Sequence, residues 1–329
     1  MAVNLSRQEK YVEGQPLIEK SLAIRRSILG DNHSDTALSY NNVASNLRDQ
    51  ARYAEAQPLH ERALAIYRKG FGEDHPETAR SYSHLAVVLG HQGKVSEAQS
   101  LCEKSLAIWR RTLGDNHADT AMSYNNVATN LGHQAKYAEA QPLHEMALTI
   151  HRKVFGEKNP DTARSYASIA VDLNRQSKYS NAQTLFDKAH ATYQATLGEE
   201  HPETAMSYNL VASNLCFMGE HKRALSLNEA SMAIRRRTLG EDHPETASGH
   251  TAIASNHMAL SRPNEAEKAL QNAIRGYEAS RLVRARGLER SLDSQMNPRQ
   301  LLAALQASHS PGAAWESTEL TLSRGLLDQ

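Results

Sequence analysis

The amino-acid sequence predicts an all-α solenoid of helix-turn-helix pairs. Three observations carry that expectation: a glycine-centred turn at an unvarying interval, an apolar stripe of helical period on both sides of it, and a longer period laid over the first. The turn reads Leu29-Gly30, Phe71-Gly72, Leu113-Gly114, Phe155-Gly156, Leu197-Gly198 and Leu239-Gly240, so successive glycines lie 42 residues apart. Three residues after each stands His33, His75, His117, Asn159, His201 or His243, and six after it Thr36, Thr78, Thr120, Thr162, Thr204 or Thr246. A fixed interval of this length marks stacked supersecondary units, each burying its apolar side against its neighbours.

Residues 72–112 show the elements of one unit. Gly72 ends the preceding helix, because a left-handed residue closes a last turn at least cost in glycine. His75-Pro76-Glu77-Thr78 starts the next helix: proline suits a first position whose N–H has no helical partner, and Glu77 suits the positive helix end. Ala79, Tyr82, Leu85, Ala86 and Leu89 then recur at steps of three and four, the apolar stripe of a first helix. Gln92-Gly93-Lys94 makes a tight turn. Val95, Ala98, Leu101, Ser105, Leu106 and Ile108 define a second amphipathic helix. Small residues at Ala86, Ala98 and Ser105 let the two helices approach, and Tyr82, Leu89 and Leu101 fill the space between them.

The longer period is two units. Residues 39–66 reappear almost unchanged at 123–150, and Ala79-Arg80-Ser81-Tyr82 matches Ala163-Arg164-Ser165-Tyr166 at the same offset of 84. Growth by duplicated pairs predicts surface chemistry that alternates from unit to unit. The ends are irregular. Met1 aligns with Val43, halfway along a first helix, which reads as a piece of a longer protein or a frayed entry. In the last unit His250, His257 and Pro263 replace the tyrosine, leucine and tyrosine of better copies.

This arrangement of large and small positions resembles the tetratricopeptide repeat. The 42-residue period, the Leu-Gly-x-x-His-Pro-x-Thr-Ala linker, Tyr40-Asn41-Asn42-Val43-Ala44 and Tyr53-Ala54-Glu55-Ala56-Gln57-Pro58-Leu59 resemble the kinesin light chain subclass. The resemblance implies a superhelical array over residues 1–280, with a partial first repeat (1–29) and full repeats starting near 30, 72, 114, 156, 198 and 240. Residues 281–329 read as a helical tail, capping the array or linking it to a domain outside this chain. Within them, Gly287-Leu288-Glu289-Arg290, Ala314-Trp315-Glu316 and Ser323-Arg324-Gly325-Leu326-Leu327-Asp328 resemble the segment that joins such arrays to a caspase-like CHAT peptidase in bacterial proteins.

Composition narrows the function classes. Basic and acidic residues balance at 37 each, so no excess positive field calls for nucleic acid or an anionic membrane. No apolar run approaches the roughly 20 residues of a bilayer span, and the first residues lack the core of a signal peptide. Two cysteines in different repeats, with no CxxC, suit a reducing compartment and place the chain in the cytoplasm.

Catalysis and metal binding are not expected. Of the 16 histidines five stand in register, but helix packing separates successive members by about 10 Å, far beyond a shared metal's reach. A side chain that packs the linker onto the next helix explains the column without a ligand. His84, His91, His60 and His144 read as exposed or half-exposed helix residues. Cys102 and Cys216 sit mid-helix on the apolar pattern, where cysteine behaves as a small hydrophobe. No phosphate loop, carboxylate pair or cofactor motif is present.

The resemblance leaves the groove lined by the first helices. Its early position reads Leu38, Arg80, Met122, Arg164, Met206 and Ser248; one turn on come Asn41, Ser83, Asn125, Ala167, Asn209 and Thr251. Further along lie Arg48, Asn174 and Cys216, beside Asp49, His91, His133, Arg175 and Phe217. Asn41, Asn125, Asn174 and Asn209 are expected to hydrogen-bond an extended peptide backbone, since a carboxamide both donates and accepts. Arg48, Arg80, Arg164 and Arg175, with few acidic residues opposite, are expected to favour a peptide carrying Asp or Glu. The function expected is therefore a protein-protein interaction scaffold holding an acidic, extended partner segment. The alternative is the sensing region of a caspase-like protease whose catalytic domain lies elsewhere. A cargo-adaptor role on a kinesin motor needs a heptad coiled coil, which is not seen here.

Overall fold

A computed structural model describes residues 11–50 and 52–285. The expected tail, 281–329, lies mostly outside the described residues, and so do residues 1–10 of the expected half-helix. Among the described residues there is no strand. The chain opens with α1 (Tyr11–Leu29), and six hairpins follow: α2 (Ser34–Asp49) with α3 (Tyr53–Phe71), α4 (Pro76–His91) with α5 (Val95–Leu113), α6 (Ala118–His133) with α7 (Tyr137–Phe155), α8 (Pro160–Arg175) with α9 (Tyr179–Leu197), α10 (Pro202–Phe217) with α11 (His221–Thr238), and α12 (Pro244–Ala259) with α13 (Pro263–Ala285). The chain divides into two compact units, residues 1–156 and 157–329. Within each, every helix packs on its hairpin partner, and each second helix packs on the next first helix.

The linker signature is explained by a set of hydrogen bonds repeated at each junction. The six linker glycines, Gly30, Gly72, Gly114, Gly156, Gly198 and Gly240, have φ between 81 and 91°, a region closed to most other residues. The threonine six residues on donates its hydroxyl to that glycine's carbonyl, at 2.8 Å for Thr36, Thr120 and Thr204 and 2.7 Å for Thr78 and Thr246. The histidine column consists of helix N-caps. Nδ1 of His33, His75, His117, His201 and His243 accepts the backbone N–H two residues on, at 3.1–3.2 Å. Asn159 does the same through Oδ1 at 2.8 Å. Each ring caps as the tautomer with an unprotonated Nδ1, which supplies the acceptor that serine or aspartate usually provides.

An acidic residue directly after each glycine completes the junction. Tyr40 donates to Asp31 (2.6 Å), Tyr124 to Asp115 (3.2 Å), Tyr166 to Glu157 (2.7 Å) and Tyr208 to Glu199 (2.5 Å), and Tyr82 donates to Glu73. Arg26, Arg68, Arg110 and Arg236, from the ends of the second helices, pair with the same carboxylates at 2.6–2.9 Å. These partners hold the carboxyls below their ordinary range, Asp31, Glu73 and Glu199 first through the tyrosine hydroxyl and Asp115 first through Arg110. In the last unit His250 replaces the tyrosine and reaches Glu241 at 3.0 Å. That irregularity keeps the bond.

The core runs between the helices. Tyr82, Leu89, Ala86, Ala98 and Cys102 are buried in one cluster, with Leu101 packed against it. Ser105 is buried too, and its hydroxyl is satisfied by the Ala79 carbonyl at 2.8 Å. Burial pushes the Cys102 thiol up to about 12, so it stays protonated and packs as a hydrophobe. The turn inside the five hairpins from α4–α5 onward also holds a left-handed residue. Gly93 and Gly219 supply it freely, whereas Ala135, Ser177 and Ser261 adopt φ of 57–61° with a side chain present.

Candidate functional site

The first helices carry the candidate site. In the first unit α2 touches α4 and α4 touches α6; in the second α8 touches α10. That row forms the inner side of each unit, and one stripe of it stays open to solvent. On α2 the stripe is Leu38, Asn42, Ser45 and Asp49; on α4 it is Arg80, His84, Val87 and His91; on α6 it is Met122, Asn126, Thr129 and His133. At about 100° per residue these steps keep within roughly 40° of one line along the helix.

The asparagine column lies about 60° to one side of that line, turned toward the neighbouring first helix. Asn41 is therefore buried: its amide donates to Ser81 Oγ at 3.2 Å, and its carbonyl oxygen meets His60 Nδ1 at 2.8 Å. Asn174 is also buried and donates to Asn214 Oδ1 at 2.7 Å. Both carboxamides are used within the fold, which corrects the expectation that they face a ligand. Asn125 is half-buried with its Oδ1 shut away from solvent. Asn209 is half-buried on α10, beside the exposed Met206 and the half-buried Leu210.

The arginines are on or beside the open face, but not without acidic neighbours. Arg48 pairs with Asp49 at 2.7 Å, Arg80 with Glu77 at 2.7 Å, and Arg164 with Asp161 at 3.0 Å and Glu203 at 3.3 Å. Arg175 is half-buried. The expectation of few opposing carboxylates fails: Arg80 and Arg164 meet the Glu77 and Asp161 that suit their helix N-termini one turn earlier, and Arg48, in a last turn, meets the adjacent Asp49. Such exposed pairs are weak, at about 0–1 kcal/mol, so a ligand can exchange with them. The alternation from unit to unit is present. Leu38, Met122 and Met206 are exposed apolar side chains at one position of the first helices, and Arg80 and Arg164 are exposed there in the intervening copies.

Two histidine readings need correction. His60 and His144 are buried, not exposed, because the second helix turns that position onto the preceding first helix. Burial, followed by the charges of His84 and Arg48, lowers the His60 ring to about 3. Sequence reasoning also missed a structural asparagine column, Asn46, Asn130 and Asn214. Asn130 donates to the Val95 carbonyl (3.0 Å) and Gln99 (2.7 Å), and Asn214 to the Tyr179 carbonyl (3.0 Å) and Gln183 (2.8 Å). Asn46 donates to Gln15. The signal was available: Asn46, Asn130 and Asn214 recur every 84 residues at a core position whose other copies are Val88, Asp172 and Asn256, all buried. Cys216 is half-buried, with its Sγ 3.2 Å from Asn256 Oδ1. Among the described residues no group of three His, Cys, Asp or Glu side chains is placed to hold a metal ion. No described helix is long and apolar enough to cross a membrane.

Repeated helical hairpins with interlocked linkers, and an open inner stripe in each unit, define a helical repeat solenoid. The tetratricopeptide repeat family model matches residues 1–69, 35–99, 77–152, 119–183, 161–229 and 208–279, and the chain belongs to that family. A variant of nearly identical TPR-like repeats, from a Podosopora anserina protein titled a kinesin light chain, is 26% identical. It aligns with a TM-score of 0.51 over 64% of this chain and 97% of that one. BtubC (BKLC) from P. vanneervenii is 18% identical, with a TM-score of 0.54 over 74% of this chain and 93% of that one. The apo form of RapI is 15% identical, with a TM-score of 0.62 over 85% and 96%. No curated protein sequence matches the chain.

Proposed function

We propose that this protein is a cytoplasmic, non-catalytic scaffold that holds an extended peptide or partner segment along the open stripe of its first helices. The observation that carries the reading is the exposed row Leu38, Arg80 and Met122, repeated as Arg164 and Met206. A solvated helix face has no need of large apolar side chains, and here they recur in every second repeat, at Leu38, Met122 and Met206. They favour a ligand with apolar anchors, and Arg80 and Arg164 favour acidic side chains between those anchors. Of the carboxamides, Asn209 is the best placed to meet a ligand backbone, while Asn41 and Asn174 shape the face from behind. The free Cys102 and Cys216 suit a reducing compartment.

The test is a peptide-array screen with the wild type, repeated with Leu38→Ser plus Met122→Ser and with Arg80→Ala plus Arg164→Ala. Each pair is expected to weaken ligands about ten- to a hundredfold with helix content unchanged, the arginine pair also flattening the salt dependence. Ligands bound equally by both variants reject this face. A second reading, the sensing region of a caspase-like protease, is supported by the motifs within residues 287–328. Finding no CHAT-type His-Cys pair encoded downstream of Gln329 rejects it.

A further inference from the structure

We propose that the linker edge of the first unit is a self-association surface, on which two copies of this chain meet antiparallel about a two-fold axis. The second helices of this unit each end on a large apolar residue, Leu29, Phe71, Leu113 and Phe155, and all four are 40–46% exposed. The repeat sets them in one row with a step of about 10 Å. The residue before each one widens the row at its ends: Ile28 and Val154 are exposed apolar side chains, whereas the inner layers carry Gly70 and Thr112. A continuous run of exposed apolar side chains marks an interaction surface.

Part of each side chain serves the linker. The Phe71 ring stacks on His75, 4.4 Å between centroids, and on Tyr67 at 5.9 Å, and Phe155 lies against His151 at 5.8 Å. That role does not require the exposure. In the second unit the matching Leu197 and Leu239 are half-buried, and Thr196 and Thr238 precede them.

The order of the row points to its occupant. Sizes alternate Leu, Phe, Leu, Phe, so the row turned end for end reads Phe, Leu, Phe, Leu at the same step. A two-fold contact pairs each position with its image. Leu29 then faces Phe155 of the second copy and Phe71 faces Leu113, one ring and one smaller side chain in every layer. The preceding residues follow: Ile28 meets Val154, both β-branched, and Gly70 meets Thr112 where the edge is thinner. Any other ligand has to reproduce a step of about 10 Å to use all four layers. A second copy has it already.

Charge opposes the contact only weakly. Arg26 with Asp31, Arg68 with Glu73, Arg110 with Asp115 and Arg111 with Asp74 are paired within one chain. The exposed Lys69 and Lys153 add a small positive excess that salt screens. Four layers span on the order of 30 Å, the width of a standard interface, but the apolar part is a narrow ridge, so the dimer is weak and depends on concentration. The surface is built from second-helix ends and not from the open stripe, so it stands whether or not that stripe holds a peptide.

Sedimentation velocity of the full chain, from about 5 μM to 1 mM, tests this. The expected result is a monomer–dimer equilibrium with Kd on the order of 100 μM, tightened by added sodium sulfate. Gly70→Lys is the central variant, because nothing lies within 4 Å of a side chain placed there. It is expected to weaken dimerisation at least tenfold with helix content and melting temperature unchanged, while Thr196→Lys, the matching change in the second unit, leaves dimerisation as in the wild type. Cysteine cross-linking in chains carrying Cys216→Ser reads the register. A mixture of Gly70→Cys and Thr112→Cys chains is expected to form linked dimers that neither forms alone, since the two-fold brings only unlike positions within the roughly 7 Å that a disulfide spans. A chain that stays monomeric to 1 mM, undiminished dimerisation of the Gly70→Lys variant, or links between like positions overturns the proposal. So do dimers that cross-link through Ile24→Cys, which place the contact on the exposed side of α1 instead.

Discussion

The two compact units are built from the same hairpins and the same linker bonds, and they differ in what their first helices leave open. In the first unit the stripe on α4 and α6 is Arg80, His84, Val87, His91, Met122, Asn126, Thr129 and His133, of mixed polarity and rich in imidazole. In the second, α10 presents Met206, Leu210 and Phe217, and on α12 the matching Ser248 and Ala252 are buried. The junctions do not follow that drift: Thr78 and Thr204, His75 and His201, and Tyr82 and Tyr208 make equivalent bonds in the two units. One set of positions specifies the scaffold, and another is free to vary. In a solenoid the two sets do not compete, because each hairpin is stabilised by its neighbours and not by the face it shows to solvent.

The buried asparagine column tests whether the scaffold really is common to both units. Asn130→Ala and Asn214→Ala should each cost about 2–3 kcal/mol, since each removes at least two hydrogen bonds from a buried position. Urea unfolding of the two variants measures this. A cost confined to one unit breaks the equivalence.

Acid should separate the units. His60 is lowered to about 3, so its neutral form is favoured in the folded state and its contribution is present in full above the ordinary histidine value near 6.5. As pH falls from about 6.5 toward 3 the unfolded chain binds the proton first, and at pH 5 the loss is on the order of 2 kcal/mol. At the matching position the second unit carries Phe186 and Asn228. Amides of α3 are therefore expected to lose more exchange protection between pH 7 and 5 than those of α9. Once the pH falls below their ordinary value of 4.5, the depressed carboxylates Glu73 and Glu199 progressively lose their contribution, and both units weaken together.

A smaller effect of opposite sign comes from the hairpin turns. Ala135 and Ser177, one in each unit, hold φ of 59 and 61°. Replacing either with glycine should raise stability by about 0.5–1 kcal/mol, read as a higher urea midpoint at unchanged slope, because the relief of left-handed strain exceeds the entropy that glycine adds to the unfolded chain. The smallest effect belongs to the open face. Arg80→Gln and Arg164→Gln should change stability by less than about 0.5 kcal/mol, as exposed ion pairs do. A large loss at either would show that these arginines serve the scaffold, and would narrow the variable face to its apolar and imidazole positions.

Much of the fold was legible before any coordinates. The 42-residue interval, Pro76 at a helix start and the steps from Ala79 to Leu89 set the pairing of helices, because those signals are local and each repeat confirms the last. The histidine column was legible as structural, though not as a helix cap, since histidine is an uncommon residue there. The expected groove on the first helices came from the tetratricopeptide resemblance and not from periodicity. Periodicity could not separate Asn41 from Asn42, which differ by about 100° around the helix axis. Only packing decided that Asn41 turns onto Ser81 and His60 while Asn42 faces solvent. The same holds for Arg80, which only packing sets against Glu77. Sequence spacing records what a residue repeats with; burial and charge depend on what the neighbouring helix brings against it, and that is settled only in three dimensions.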